Sequence, residues 1–423
     1  MPAIPTETAP SADAARDASF FRQSGWLMVA NVAGGALMWA VHFLARRVPP
    51  GEYGNFGGFL AVIMVLPTIP LQMVLAQQTA RALATGQHGE LSGVIRLFWR
   101  GTFYIWLVAA VLALVFQRQI LAAWKVENPM ALYLTLPIVL LTLWMPMFWG
   151  VLQGRQNFLW LGWSLLSNGI GRFGVAAFAV LVLHAYAAGM LTGVLLGTAL
   201  AFGIAAWQTR SLWLSPPAAF DRRGLAQQVI PLVLGFLGFQ ILFTADTMFV
   251  KTYFREDEAG FYVAAGTLSR ALMWLVLPLA AVMFPRIVHS AARAEKTNLL
   301  SVVLVGTAVL AVAGVAGLVL LGPWVVRIPY PESFANVVIP LLPWYAGAMV
   351  PLAVANVLLN DLLARPASKL RLGLAILTVA LAYMFCLTRF HASLVQVLQV
   401  MGCFNLLLLA VCALFHRAGR LAR

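Results

Sequence analysis

The sequence predicts an all-α polytopic membrane protein with about twelve transmembrane helices, in two six-helix lobes that form parallel repeats around a central cavity. Composition is the first reason, because 62% of the residues are hydrophobic and only 10% are charged, whereas about a quarter are charged in soluble domains. Spacing is the second reason, because short Arg and Lys clusters separate apolar runs long enough to cross a hydrocarbon core roughly 30 Å thick. Such runs form helices, since lipid offers no hydrogen-bond partner to exposed backbone.

Twelve apolar segments meet this length requirement. In chain order they run roughly over 24–45, 57–79, 101–117, 129–152, 158–182, 187–207, 229–252, 260–285, 299–321, 337–362, 370–388 and 393–415. They predict an N-terminal lobe over 20–210, a cytoplasmic linker over 211–228 and a C-terminal lobe over 229–423. Residues 1–19 lack the basic start of a signal peptide, so we expect an uncleaved, disordered cytoplasmic tail.

The basic residues indicate how the chain is oriented. The sequence has 28 basic and 14 acidic residues, and 18 of the 28 fall on one side of the bilayer if both termini lie in the cytoplasm. The positive-inside rule therefore favours cytoplasmic termini, and Arg46 with Arg47 is the main exception. No basic face with interleaved aromatics lies outside the apolar segments, so we expect membrane lipids and other anions as partners and no nucleic acid.

A short motif occurs once in each half of the chain. Residues 52–56 read Glu-Tyr-Gly-Asn-Phe and residues 258–262 read Glu-Ala-Gly-Phe-Tyr, so both give Glu-x-Gly-x-aromatic. Each copy opens a span with an internal proline and a basic end, which are Pro70 with Arg81 and Pro278 with Arg286. Six helices per unit bring both copies into the membrane from the same side, which predicts parallel repeats. Chance recurrence in a glycine-rich chain is the alternative.

Charged residues inside the spans are the main functional candidates, because each costs a few kcal/mol to insert and needs a partner or water. Arg172 shares one face of the fifth span with Ser164 and Asn168, which predicts a polar stripe along a wet interior. Arg270 lies near the middle of the eighth span and requires a counter-charge, for which Asp246 in the seventh span has a suitable depth.

Two interpretations of these residues stay open. In the functional one, Arg172 and Arg270 bind an anionic headgroup and Asp246 is their switchable counter-ion; in the structural one, a static buried pair fixes helix register. Gln240 and Lys251 share a face of the seventh span with two threonines, and we predict that they and Asn168 also contact substrate. Lys251 could instead reach the membrane interface along its flexible stem.

Small residues predict how one helix packs. Gly189, Gly193 and Gly197 repeat at four-residue spacing in the sixth span, which allows close backbone approach. We expect this face to pack within its own lobe, with a dimer interface as the alternative.

Several kinds of chemistry are not indicated. No Gly-x4-Gly-Lys-Ser/Thr loop for phosphate binding occurs, and the six histidines are scattered without metal-ligand spacing. The three cysteines suit neither a metal site nor a disulfide framework, so we predict that they are small buried hydrophobes. We therefore predict a protein without a cofactor or metal that is not an enzyme, which leaves transport.

The ordered motifs give the chain a resemblance to a known family. The matching stretches are 43–76, 154–158 followed by Arg172, 245–288 and 334–360. Together they resemble the polysaccharide transporter branch of the multidrug/oligosaccharidyl-lipid/polysaccharide (MOP) exporter superfamily, the Wzx-type flippases. The resemblance implies a bacterial inner-membrane protein that moves an undecaprenyl-diphosphate-linked oligosaccharide by alternating access. It also implies a cationic lumen, and a polysaccharide polymerase and glycosyltransferases as functional partners.

Two other functions compete with this one. A multidrug cation antiporter of the same superfamily needs acidic cavity residues, whereas the embedded charge here is net basic. A membrane-bound polysaccharide polymerase or ligase needs a sizeable external loop, and the longest one expected, over about 322–336, is short.

Overall fold

The computed structural model describes residues 12–273, 299–364 and 369–421, and every regular element in these ranges is a helix. Eleven of the helical segments there are long and apolar enough to cross a membrane. The helices are α1 (Ala12–Ala40), α2 (Pro50–Met64), α3 (Thr68–Thr85), α4 (His88–Val115), α5 (Gln117–Ala123), α6 (Met130–Gly154), α7 (Phe158–Leu181), α8 (Tyr186–Trp213), α9 (Arg222–Tyr253), α10 (256–273), α11 (Leu299–Leu320), α12 (Gly322–Arg327), α13 (Glu332–Ala364), α14 (Lys369–Leu387) and α15 (Leu394–Leu421).

Eleven of the twelve predicted spans are present, with differences at their ends, and the eighth is described only in part. The second span is two helices, α2 and α3, because Pro67 has no N–H to continue the ladder of α2. The third, α4, begins at His88, thirteen residues before the predicted start at 101. The eighth, α10, is helical over 256–273, and the repeat residues Pro278 and Arg286 lie outside the described residues.

The start of the chain also differs from the expectation. α1 begins at Ala12, inside the stretch predicted as a disordered tail. Alanine has the highest helix propensity, and residues 12–18 contain four alanines, which favours helix there. A 3-10 helix, Val41–Arg47, extends α1 to the turn before α2.

Each lobe packs around its own small residues. An added Cβ at Gly193 of α8 would lie 2.3 Å from the Arg172 carbonyl oxygen, and one at Gly197 would lie 2.5 Å from the Asn168 carbonyl oxygen. The backbones of α7 and α8 are therefore in direct contact, as expected where small residues line a membrane helix interface. The prediction that this glycine stripe packs within its own lobe is confirmed.

The two copies of the repeated motif meet each other. A Cβ at Gly54 of α2 would lie 2.9 Å from the Gly260 amide nitrogen of α10, and a Cβ at Gly57 would lie 2.3 Å from Val263 Cγ1. Residues further along α2 contact residues further along α10, so the two helices run in the same direction. Equivalent glycines in contact lie on the axis that relates the lobes, which makes the lobes parallel repeats.

The bundle thus has two distinct ends. At the α2–α10 end, the first turns of these two helices are in contact across the lobes. At the α3–α9 end, where α3 finishes and α9 starts, Gln228 Nε2 donates a hydrogen bond of 2.6 Å to Gln77 Oε1.

Candidate functional site

The second lobe holds a buried ion pair. Arg270 Nη2 lies 2.8 Å and 2.9 Å from the two carboxylate oxygens of Asp246, and it also donates to Thr247 Oγ1 at 2.8 Å. Arg270 Nε donates to the Phe243 carbonyl oxygen at 3.0 Å. The Asp246 side chain is 0% exposed and the Arg270 side chain 13%. The predicted pairing of these two residues is confirmed.

Two tyrosines complete the surroundings of this carboxylate. Tyr262 on α10 donates to Asp246 Oδ2 at 2.9 Å, and Tyr345 on α13 donates to the same oxygen. The Arg270 guanidinium also lies 5.4 Å from the centre of the Tyr345 ring, in cation–π geometry. These contacts connect α9, α10 and α13 of the second lobe. The Asp246–Arg270 pair itself carries no net charge.

The first lobe holds an arginine in a different situation. Arg172 on α7 makes no hydrogen bond or salt bridge with any residue of the described ranges, and its Nε is buried without a partner. Its backbone is enclosed by Gly193 and Gly197 of α8, while its side chain remains partly accessible. It lies within electrostatic range of His42. An embedded guanidinium without a counter-ion is expensive, so this position favours an anionic ligand or water.

The predicted polar stripe that includes Arg172 is mostly closed. Ser164 is fully buried, donates to the Ala201 carbonyl oxygen at 2.8 Å and accepts from Trp149 Nε1 at 2.7 Å. Asn168 is only 6% exposed. The expectation that the whole stripe lines a wet interior is wrong for Ser164, because α8 packs directly on this side of α7.

Gln240 and Lys251 on α9 face the other lobe. Gln240 Nε2 donates to the Met64 carbonyl oxygen at 2.7 Å, which is an acceptor left free where α2 ends before Pro67. Lys251 is 1% exposed, and its Nζ is buried without a hydrogen-bond partner among the described residues. Its stem contacts the position of Gly58 on α2. The alternative in which Lys251 extends to the membrane interface is therefore wrong.

Buried hydroxyl groups that were not predicted from the sequence lie between the lobes. His42 Nδ1 lies 2.7 Å from the Tyr53 hydroxyl, which lies 2.9 Å from the Tyr330 hydroxyl of the second lobe. All three side chains are buried. The sequence contains a signal for this contact, because a tyrosine within an apolar run requires a hydrogen-bond partner and Tyr53 is part of the repeated motif. In the structure, five of the nine tyrosines are fully buried.

Comparison with solved structures identifies the fold. No family model matches the chain, and no curated protein matches it in sequence. A multidrug resistance MATE family transporter of the MOP superfamily, in an inward-facing conformation, aligns over 91% of this chain and 94% of its own at 12% identity, with a TM-score of 0.72. The lipid II flippase MurJ, in an inward closed conformation, aligns over 93% and 86% at 13% identity, with a TM-score of 0.68.

The chain has the fold of MOP-superfamily transporters. It also aligns with an outward-facing MATE family transporter, over 95% of both chains at 13% identity, with a TM-score of 0.62. The two-lobed fold expected from the sequence is confirmed.

The described residues contain no group of three or more His, Cys, Asp or Glu side chains that could hold a metal ion. The contacts described above divide the site residues into three separate features. These are Arg172 in the first lobe, which has no ion pair within the described ranges, the neutral Asp246–Arg270 pair in the second lobe, and the Tyr53–Tyr330 contact between the lobes.

Proposed function

We propose that this chain is a flippase that moves an undecaprenyl-diphosphate-linked oligosaccharide across the bacterial inner membrane by alternating access of its two lobes. The observation that carries the proposal is the embedded Arg172, which has no counter-ion within the described ranges. A buried charge of this kind is retained where a ligand supplies the opposite charge. Diphosphate oxygens suit the planar fork of a guanidinium, which binds them in a bidentate manner.

The closed α2–α10 end supports a direction for the cycle. Most of the basic residues lie at the opposite end, and by the positive-inside rule this supports a cytoplasmic position for that end and for both termini. The passenger then enters from the α3–α9 end and moves towards Arg172, which lies in the first lobe within electrostatic range of His42. When α2 separates from α9 and α10, Lys251 becomes accessible and offers a second cation on the way out.

The Asp246–Arg270 pair has a separate role in this cycle. As a neutral pair it attracts no anion, but the pair can exchange partners when a diphosphate competes for Arg270. Asp246 then needs a cation or a proton, which would couple transport to an ion gradient. Asn168 and Gln240 contribute by holding α7 and α9 in place beside the passenger, because both side chains are largely enclosed.

The proposal is tested by reconstituting the full chain in liposomes that contain a fluorescent undecaprenyl-diphosphate-linked sugar. Dithionite added outside reduces only the probe in the outer leaflet, so flipping raises the reduced fraction above half. We expect Arg172→Gln to slow flipping about tenfold or more, the effect of losing a hydrogen bond to a charged group. The control Arg118→Gln removes an exposed arginine of α5 and should retain the wild-type rate. A rate for Arg172→Gln equal to that of the control would refute the proposal.

A multidrug cation antiporter is the second candidate, and the TM-score of 0.72 with a MATE family transporter is the observation that favours it. The embedded charge opposes it, because the one buried carboxylate of the described spans, Asp246, is already neutralised by Arg270. Ethidium efflux from the same liposomes distinguishes the two. Efflux driven by an ion gradient without flipping of the lipid probe would favour the antiporter.

A further inference from the structure

A groove on the membrane-facing surface of the first lobe is separate from the sites described above. It encloses about 450 Å³ between α4, α6 and the end of α8, near the α3–α9 end. The residues that matter for its chemistry are Arg96, Trp99, Arg100, Phe103, Trp144 and Trp213.

The groove exists because α4 packs loosely on the lobe. Only 6% of an 18-residue apolar stretch of α4 is buried in the protein, whereas the corresponding share is 50% in α6 and in α8. Ile105 is 70% exposed and Val108 is 60% exposed, so this helix faces lipid along most of its length. In a bilayer, open space beside such a helix is filled by hydrocarbon chains.

The wall of the groove is rigid and aromatic. The Trp99 ring lies 5.2 Å from the Trp144 ring and 5.3 Å from the Trp213 ring, both in edge-to-face geometry. Phe103 stacks on Trp144 at 6.2 Å. Mutual packing fixes these rings, so the groove is formed before any ligand arrives. Indole rings at a membrane end also suit the level of the headgroups and the first methylenes.

Two positive charges lie at the mouth of this groove. Arg96 and Arg100 are one turn apart on α4. Arg96 donates to the carbonyl oxygens of Trp213 at 3.4 Å, Leu214 at 3.3 Å and Ser215 at 3.0 Å, which are neutral acceptors that hold the guanidinium in place. Arg100 is exposed and has no ion-pair partner in the parts of the chain that are described. The mouth therefore has one arginine held by carbonyl groups and a second, exposed arginine beside an apolar cleft, and neither forms an ion pair within the described residues.

We propose that this groove binds an anionic glycerophospholipid, with its phosphate on Arg100 and Arg96 and one acyl chain along Trp99, Phe103 and Trp144. A phosphate with a neutral glycerol headgroup retains the net charge that the two arginines select, whereas a choline headgroup cancels it. The site is independent of the transported substrate. It anchors α4, the least packed span of the first lobe, to the lipid of one leaflet.

Native mass spectrometry of the full chain tests this proposal. The protein in detergent is titrated with palmitoyl-oleoyl phosphatidylglycerol and, separately, with the phosphatidylcholine of the same chains. We expect tighter binding of phosphatidylglycerol and about a fivefold loss of its affinity in Arg100→Gln, since one arginine near a membrane surface contributes about 1 kcal/mol. Arg118→Gln, which removes an exposed arginine at the α2–α10 end, should bind phosphatidylglycerol like the wild type.

Two results would overturn the proposal. One is equal affinity for both phospholipids, or an equal loss of phosphatidylglycerol in both arginine variants. The other is displacement of phosphatidylglycerol by farnesyl diphosphate at equimolar concentration, with a dependence on Arg100, which would assign the groove to an isoprenoid diphosphate. Phe103→Ala serves as a second variant, because loss of the apolar wall should weaken phosphatidylglycerol binding without changing the charge.

Discussion

The contact between the repeated motifs can be tested by adding a single methyl group. In Gly260→Ala, the new Cβ would lie 2.0 Å from the Pro50 carbonyl oxygen and 2.6 Å from its carbonyl carbon. Both atoms are backbone of the other lobe, so no side-chain rotation relieves the overlap. Real Cβ contacts are essentially never shorter than 3.0 Å, so α2 and α10 must separate by about 1 Å at their crossing.

The cost of this substitution falls on the contact between the lobes. Overpacking a close contact costs about 1–3 kcal/mol, which corresponds to a population shift of about 5- to 150-fold between two states. Because Pro50 and Gly260 belong to different lobes, the folding of each lobe should be little affected. We therefore expect Gly260→Ala to favour the state in which the α2–α10 end is open.

Double electron–electron resonance measures this shift as a change in the distance distribution between two spin labels, one on each lobe. Labels at Arg118 in α5 and Phe390 before α15 are exposed and report the width of the α2–α10 end. The native cysteines are first replaced by alanine, since Cys403 is exposed and would be labelled. That exposure differs from the burial predicted for all three cysteines, because one side of α15 faces lipid.

The control is a glycine whose Cβ meets nothing. Gly174 on α7 has no atom within 4 Å of an added Cβ, so Gly174→Ala should leave the distance distribution unchanged. Its only expected effect is a gain in helix propensity of about 1 kcal/mol. If Gly260→Ala and Gly174→Ala give the same distances between the labels, the glycine contact does not hold this end closed and the reasoning fails.

Two further predictions follow from the buried polar groups. Asp246→Asn and Arg270→Gln should each lower the melting temperature strongly, because breaking a buried pair costs about 3–5 kcal/mol. The double variant should lose less stability than the sum of the two single losses. Additive losses in a double-mutant cycle measured by thermal unfolding would contradict the pairing. Tyr53→Phe removes the hydroxyl that reaches Tyr330 across the lobes and should widen the α2–α10 end in the spin-label measurement, since an unsatisfied buried partner costs about 1–3 kcal/mol. Tyr104→Phe, at a tyrosine 62% exposed, is its control and should have no effect.

The fold was predictable from the sequence because a bilayer restricts what an apolar chain can do. Length and hydropathy alone placed the spans, and the Glu-x-Gly-x-aromatic repeat correctly indicated two parallel units. The ends were less accurate because helices continue past the hydrocarbon core. α4 starts at His88 for this reason, since its first turns carry polar residues that hydropathy excludes.

The site was predictable only in part because periodicity does not say what packs on a helix face. The stripe of Ser164, Asn168 and Arg172 is regular in sequence, yet α8 covers two of its three members. The Asp246–Arg270 pair was predictable because a charged side chain in the hydrocarbon core of a membrane requires a partner. The partners Tyr262 and Tyr345 were not found, since a neutral hydroxyl gives a weaker signal than a charge.

The two embedded arginines differ in what they can do during a transport cycle. Arg270 is held by a carboxylate, a threonine and a backbone carbonyl, so it moves only if Asp246 finds another partner. Arg172 is held by none of the described residues and can bind an anion without first breaking a contact. In the proposed flippase, initial capture therefore belongs to the first lobe. The second lobe responds only when the passenger is close enough to compete for Arg270, which links arrival of the diphosphate to release of a bond between three helices.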